Sequence, residues 1–437
     1  MTMGTKTNEI VPTKIIDGQS LNLSTEELVE LVVSFKPSIV GISILSPTFP
    51  VAVKLCKAIK TRLPNTLLIA GGKHITLETK KVIETGVFDL IIRGEGDYVL
   101  PNIIQKYLLV KKNTKSLQDL LAGQPGITFP NDEYIPTITT QVDLESLPPI
   151  NWEILFPRLD YYLGNTASVE DQRGCLYNCS YCSASKYYNK VTFRSPKQIT
   201  NDVINLNNQG FTSFFFTGDD SFINPHRVME ILKNIATKKL SINLIMNTRA
   251  DSFMCCFKKY GNELITALTQ AHVTTLHMGV ESGDEEILNL CNKKIDLKNV
   301  YETITIANKL SIIVETNWIV GLPDDSEESI NNSINLALKL YQKSGPHFPH
   351  ISYFMPYPGT KDAEKAEKSE LYNPDILDLS TLTAHDKPLI PTKYLSVNEV
   401  SKLFNKFVST FYSKEFIQSL PSEQLINKAV LMKEKHL

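Results

Sequence analysis

From Ser24 to about residue 360, short apolar runs rich in β-branched and aromatic residues alternate with segments whose apolar positions recur at helical spacing, in two separate series. That alternation is the mark of βα units, and it commits the chain to parallel α/β architecture. In the first series Ser24 stands as N-cap of "STEELVELVVSF", which has acidic residues in its first turn and a Leu/Val stripe, and so reads as a helix. It leads into a buried strand, "SIVGISIL". A helix through "AVKLCKAIKTRL", a strand "TLLIAGG", a helix near "LETKKVIETG" and a strand "FDLIIRGEG" follow. This block has the character of an open, doubly wound sheet, with Gly and Ser at the carboxyl ends of strands, where ligands bind in such sheets.

Between residues 143 and 165 the prolines of "LESLPPINWEILFP" are too dense for a regular element, so this stretch reads as a linker after a first domain of residues 1–142. The second series occupies residues 166–372, with candidate strands at "TASVEDQRG", "SFFFTGDD", "INLIMNTRAD", "TTLHMGVESG", "VETNWIVGLP" and "ISYFMPYPGT". Six βα units are too few for a closed eight-stranded barrel. They suffice for an open partial one, a (β/α)6 TIM-like barrel with its chemistry at the carboxyl ends of the strands. Residues 373–437 read as a helical C-terminal region, with "LSVNEVSKLFNKFVSTFYSKEF" as its clearest amphipathic segment.

The 45 basic and 47 acidic residues are spread without long runs, for a formal net charge of -2, so no electrostatic footprint for nucleic acid or an anionic membrane is present. The N-terminal "MTMGTKTNEIVPTKII" has no apolar core of signal-peptide length, and no later run has the length of a membrane span. The expectation is a cytoplasmic protein with a small-molecule substrate. Seven cysteines, an odd number with one tight cluster, point to metal or redox chemistry rather than a disulfide framework. Cys255 and Cys256 are adjacent in "FMCCFKK", a poor arrangement for one iron site, and read as small buried residues.

The cluster is "QRGCLYNCSYCSASKYY", where Cys175, Cys179 and Cys182 are spaced C-x3-C-x2-C on a loop after the first strand of the second series. A structural zinc site wants four ligands, and no fourth His or Cys lies nearby in sequence. A four-iron cluster also usually takes four cysteines. With three, one iron is left open, which is useful where a substrate chelates it.

"CLYNCSYC", with Tyr181 just before the last cysteine, resembles the signature of the radical S-adenosylmethionine (SAM) superfamily, and the likeness extends from about residue 166 to 360. The resemblance implies a [4Fe-4S] cluster on Cys175, Cys179 and Cys182, whose open iron is chelated by SAM and whose electron cleaves the sulfonium to a 5'-deoxyadenosyl radical. It also implies an electron donor such as flavodoxin or ferredoxin. "FFFTGDDSF", with Thr217, Gly218, Asp219 and Asp220, is similar to the edge that meets the SAM amino group in relatives, and Asp219 is the candidate contact. Arg249 of "NTRAD" and Glu281 and Ser282 of "GVESG" fall where relatives hold the SAM carboxylate and ribose, and Gly321 of "NWIVGLPDDSEES" resembles the glycine whose backbone approaches adenine.

The first domain resembles the Rossmann-like cobalamin-binding domain of one radical SAM subgroup. Ser43 and Leu45 form an S-x-L, and Gly71 and Gly72 of "IAGGKH" follow at a matching distance, so Ser43, Gly71 and Gly72 are the candidate cobalamin contacts. The cobalt-ligating D-x-H-x-x-G of such domains would fall on "DGQSLN", which keeps Asp17 but has Gln19 for His and Asn22 for Gly. About one βα unit that should precede "TKIIDGQ" is absent. The implied function is cobalamin-dependent methyl transfer to an unactivated centre of a small-molecule or natural-product substrate. One SAM methylates cobalamin, another yields the radical that takes hydrogen from substrate, and the substrate radical takes the methyl group. A radical SAM cyclase, rearrangement or oxidative enzyme, with a vestigial or non-methylating cobalamin-type domain, would share every one of these motifs. A non-catalytic iron-sulfur protein would need only the cysteines.

Overall fold

The computed structural model describes residues 2–110, 116–132, 142–156, 159–164, 166–188, 190–373 and 387–436. Residues 157, 158 and 165 of the expected linker, and 374–386 and 437 of the expected C-terminal region, lie outside the described residues. The chain divides into two compact units, the first built on Met1–Leu163 with Lys186–Thr192, the second on Gly164–Ser185, Phe193–Leu377 and Thr383–Leu437.

In the first unit the helix α1 (Thr25–Ser34) starts as its sequence requires, with a reciprocal capping box: the Glu27 amide donates to Ser24 Oγ, and Glu27 takes the Ser24 amide in return. After it come β1 (Ile39–Ser43), α2 (Phe49–Arg62), β2 (Leu67–Gly71), β3 (Leu90–Ile92), α3 (Val99–Val110), α4 (Leu117–Leu121) and β4 (Ile127–Thr128). Strands β1, β2 and β3 are parallel, and β4 adds antiparallel to β3. Strand alternation splits the core between two faces. Leu68, Ala70 and Ile91 pack with Val29, Val32 and Leu55 of α1 and α2, whereas Ile69, Leu90 and Ile92 pack with Val99, Ile103 and Leu121 of α3 and α4.

Helices therefore cover both faces, as in a doubly wound fold, but the strand order β1-β2-β3-β4 runs in sequence. The order does not reverse because the sheet begins at β1. The residues before it, Ile15–Ile16, pair instead with Leu155–Phe156 in a separate two-residue ladder. The helix expected near "LETKKVIETG" forms as Thr79–Glu84, and a further short helix, Lys73–Leu77, precedes it, with Glu78 between them at non-helical angles.

The second unit holds six parallel strands in sequential order: β5 (Ala167–Val169), β6 (Ser213–Phe216), β7 (Asn243–Thr248), β8 (Val273–Glu281), β9 (Ile313–Val320) and β10 (Phe348–Tyr353). Between and after them run α5 (Pro196–Asn208), α6 (Pro225–Ala236), α7 (Ala250–Tyr260), α8 (Leu297–Lys309), α9 (Glu327–Ser344), α10 (Lys361–Lys368), α11 (Val397–Phe411) and α12 (Glu423–His436). Phe214, Phe216, Met246, Met278, Val314 and Trp318 are buried on the helix-covered face. On the other face the rings of Phe215 on β6 and His277 on β8 meet at 5.5 Å across the intervening β7. Flat neighbouring strands would hold them about 9–10 Å apart, so this face is concave and the sheet is a partial barrel.

Strand β10 is an open edge, and such an edge needs cover. Helix α12 supplies it: the Ile351 amide donates to His436 Nε2 at 3.4 Å, and Lys428 reaches Glu315 at 2.5 Å. Among the described residues no helix is long and apolar enough to cross a membrane.

Candidate functional site

The loop carrying the three cysteines leaves β5 through Gly174, whose φ of +84° turns the chain sharply. It is tied down at several points. The Ser180 amide donates to the Cys291 carbonyl at 2.9 Å, the Ser180 hydroxyl to Asp362 Oδ2 at 2.7 Å, and Asn292 Nδ2 to the Asn178 carbonyl at 2.8 Å. Within the loop the Cys182 amide donates to the Cys179 carbonyl and the Ala184 amide to Cys182 Sγ. Cys179 is buried, while Cys175 and Cys182 are half-buried. Burial pushes the Cys175 thiol up to about 11, with Asp219, Asp220 and Cys182 near enough to add to the effect.

No group of three His, Cys, Asp or Glu side chains among the described residues is placed to hold a single ion. A four-iron cubane does not require such a group, because its thiolates bind different iron atoms. The donor set, three thiols on one anchored loop, fits such a cluster with one iron left open.

Around this loop stand the ends of the strands. Asp219, after β6, is exposed, but its neighbours are structural. The Gly218 amide donates to the fully buried Asp171 at 2.7 Å, and a Cβ on Gly218 would lie 2.6 Å from Asp171 Oδ1. Asp220 is buried too, accepting from the Ser252 hydroxyl and the Arg249 amide; burial raises its carboxyl to about 6. Asp220 thereby pins the end of β6 to the end of β7.

Arg249, after β7, lies with its guanidinium 3.7 Å over the Tyr177 ring of the cysteine loop. Glu281 ends β8 in a left-handed conformation, φ +72°, where the register with β9 slips by one residue. The turn aims its carboxylate at buried Lys293, 2.8 Å away. Gly279 makes room for this pair, since a Cβ there would meet Glu281 Oε1 and Lys293 Nζ. Ser282 is buried, with Oγ accepting the Asp284 amide. Gly321 follows β9 at φ +89° and donates its amide to Asp325 Oδ2, as does Leu322. Asp325 is wholly buried, which raises its carboxyl to about 7.

The cysteine loop, Asp219, Arg249 and Glu281 thus share one end of the barrel. Tyr181, partly buried and close to Cys179 and Glu281, has its phenol raised well above the usual tyrosine value, chiefly by desolvation. Asp171, Lys293 and Asp325, which position these residues, went unremarked in the sequence. Asp325 reads there as one more solvated acid in "PDDSEES", and Lys293 belongs to no motif.

In the first unit Ser43 and Gly71 are register partners at the ends of β1 and β2. Gly41, Ser43 and Leu45 share an exposed face of the edge strand. A Cβ on Gly41 would meet nothing within 4 Å and one on Gly71 would approach only Ile92, at 3.8 Å, so the backbone here is open to a ligand. Gly72 differs: at φ +106° its Cβ would fall 2.6 Å from the Ile44 carbonyl oxygen, so this glycine serves the close approach of the two strand ends. Gln19 is exposed, and Asn22, in the place of a glycine, keeps the left-handed turn at φ +50°. The Asp17 carboxylate is taken up by the Ser20 amide and hydroxyl and by the Tyr162 hydroxyl. The open backbone at Gly41 and Gly71 is a cradle that fits a cobalamin tail.

The radical SAM superfamily model matches residues 169–337, and the B12 binding domain model residues 8–104. The chain is 26% identical over 355 residues to the anaerobic magnesium-protoporphyrin IX monomethyl ester cyclase of Cereibacter sphaeroides, covering 79% of this chain and 56% of that protein. It is 27% identical over 340 residues to the hopanoid C-3 methylase of Methylococcus capsulatus, covering 75% of this chain and 60% of that one. The chain thus spans less than two thirds of either relative's length. Among solved structures, the cobalamin-dependent SAM radical enzyme OxsB with aqua-cobalamin and SAM bound matches with a TM-score of 0.72 at 15% identity, over 100% of this chain and 68% of that one. The fold is the same. The chain thus carries a B12 binding domain followed by a radical SAM superfamily domain, and with them a [4Fe-4S] cluster, SAM and cobalamin as its cofactors.

Proposed function

We propose that the chain is a cobalamin-dependent radical SAM methyltransferase acting on an unactivated centre of a small-molecule or natural-product substrate. The observation that carries this reading is the anchored loop of Cys175, Cys179 and Cys182 at the strand ends of a partial barrel, in a chain that also has a B12-binding domain. Bound there, the cluster supplies the electron that cleaves SAM, and cobalamin supplies a methyl carrier. The chain's own residues bind and orient: Asp219 offers an exposed carboxylate to the SAM amino group, Glu281 and Ser282 flank the ribose, and the Gly321 turn, held by Asp325, faces adenine. Ser43 and Gly71 line the path of the cobalamin tail, and Gly72 lets the strand ends beside it come close. Residues 1–142 make the cobalamin domain and 166–372 the radical SAM domain, joined by 143–165 and followed by the helical region 373–437. A low-potential flavodoxin or ferredoxin delivers the electron, and the setting is the cytoplasm.

Similarity to the hopanoid methylase supports methyl transfer. Similarity to the cyclase supports a second reading, ring formation or oxidation with the same cofactors. Anaerobic turnover with SAM and a low-potential reductant separates them. Methyl transfer yields S-adenosylhomocysteine together with 5'-deoxyadenosine, whereas the second reading yields 5'-deoxyadenosine alone. Formation of neither by iron-loaded protein would leave a non-catalytic iron-sulfur protein.

A further inference from the structure

Arg249 is 5% exposed, and its donors are spent in a manner that a SAM-carboxylate clamp would not require. Nη2 donates to the carbonyls of Lys293 and Lys294, at 2.5 and 3.3 Å. Those carbonyls are presented by a bent stretch in which Asn292 and Lys294 are both left-handed, with φ of +54° and +47°. One face of the guanidinium is covered by the Tyr177 ring, which itself belongs to the cysteine loop. Nη1 is directed at Cys179 Sγ, 4.0 Å away. Nε is buried without a partner. Its carboxylate neighbours are Asp251, a loose partner at 3.7 Å and a quarter exposed, and buried Asp220, which accepts the Arg249 amide and whose carboxyl the Arg249 charge pulls down.

A buried cation wants a nearby anion, because desolvation makes an unneutralised charge costly. A thiolate-bound four-iron cluster is such an anion, and one-electron reduction adds a further negative charge to it. We propose that Arg249 is a positioning residue of the cluster: its guanidinium, stacked on Tyr177 and aimed at the Cys179 sulfur, stabilises the reduced state and holds the reduction potential up. The step it favours takes one electron from an external low-potential flavin or iron-sulfur donor into the cluster, from [4Fe-4S]2+ to [4Fe-4S]+. No bond to the protein forms or breaks, and the added charge lies within reach of a fixed cation in a site of low dielectric. The role assigned to Arg249 thereby moves from the SAM carboxylate to the cluster ligand, and it rests on the cluster assignment above.

The test is a redox titration of the anaerobically reconstituted full chain, followed by the paramagnetic resonance of the reduced cluster, beside equilibrium binding of SAM. Arg249→Gln is expected to keep about four irons and bind SAM within about two-fold of the parent, while the reduction equilibrium shifts about ten-fold, a potential about 59 mV more negative. Arg249→Lys, which keeps the charge, is expected to show less than half that shift. An unmoved potential in Arg249→Gln, or an equal shift in Arg249→Lys, overturns the proposal, as does a ten-fold loss of SAM affinity with no change of potential. If Arg249→Gln cannot retain iron, Asp251→Asn decides: removing the counter-ion should move the potential to a less negative value, and no movement, or movement the other way, contradicts the role. Parent protein that takes up no iron would fail at the cluster assignment itself, whereas iron-loaded parent with an indifferent Arg249 would sink this inference alone.

Discussion

The placing of Cys175, Cys179 and Cys182 on one loop was legible in the sequence because their spacing is local. Replacing any one by Ala should remove the iron and SAM cleavage together, while Cys256→Ala, a change to a thiol packed against α6, should leave iron content at the parent level. Equal iron in all four variants, measured by elemental analysis, would refute the assignment. Asp219 and Glu281 call for different substitutions. Asp219 is exposed, so Asp219→Ala opens no buried cavity and should weaken SAM binding roughly ten-fold, the worth of one charged hydrogen bond. Glu281→Ala would strand buried Lys293 at a cost of about 3–5 kcal/mol, so the informative change is Glu281→Gln, which keeps the shape. Calorimetric titration with SAM reads both, and undiminished affinity in the two would misplace the site. Lys293, Asp171 and Asp325 could not be read from the sequence, since each acts through a partner far along the chain, and a buried carboxylate looks like a solvated one until its neighbours are known.

At the scale of elements, the helices and strands with caps and unbroken periods came through, and the losses have local causes. The strand expected at "TASVEDQRG" stops at Val169 because Asp171 turns inward to hold Gly218. The amphipathic segment from Ser396 breaks after Phe411, where Ser413 caps a second short helix. Gly71 and Gly72, adjacent in sequence, part company in space. Gly71→Val should abolish or sharply weaken cobalamin binding while the apo-protein melts near the parent temperature, whereas Gly72→Val should destabilise the first unit itself by driving a side chain into Ile44. Cobalamin titration beside thermal melting separates the two, and equal effects on both readouts would contradict the geometry.

The edge cover by α12 was invisible in sequence, because nothing in a helix names the strand it shields. Glu315, between His277 and Lys428, is held down to about 2 although burial alone would raise it. A carboxyl depressed in the folded state stabilises above its ordinary pKa and loses that contribution as pH falls toward the depressed value. Glu315→Gln should therefore lower stability by about 2 kcal/mol at pH 7, with the gap shrinking as pH drops from about 4.5 toward 2. Melting curves of parent and variant apo-protein across this range check it; a gap independent of pH would assign the loss to packing.

For the whole molecule, two βα series implied two α/β units, and the partial barrel followed from counting six strands. What the sequence did not convey is the face that the first sheet presents: Asn22 holds a left-handed turn, and β1 stands as an edge with Gly41, Ser43 and Leu45 exposed at it. The central claim is that one chain loads an iron-sulfur cluster and a corrinoid together. It is tested most directly by elemental analysis of protein reconstituted anaerobically with iron, sulfide and hydroxocobalamin and then freed of unbound metal. The account predicts about four irons per chain from a three-cysteine cubane and about one cobalt from the B12-binding domain; iron without cobalt would contradict the methyl-transfer reading, and cobalt without iron would contradict the radical SAM site.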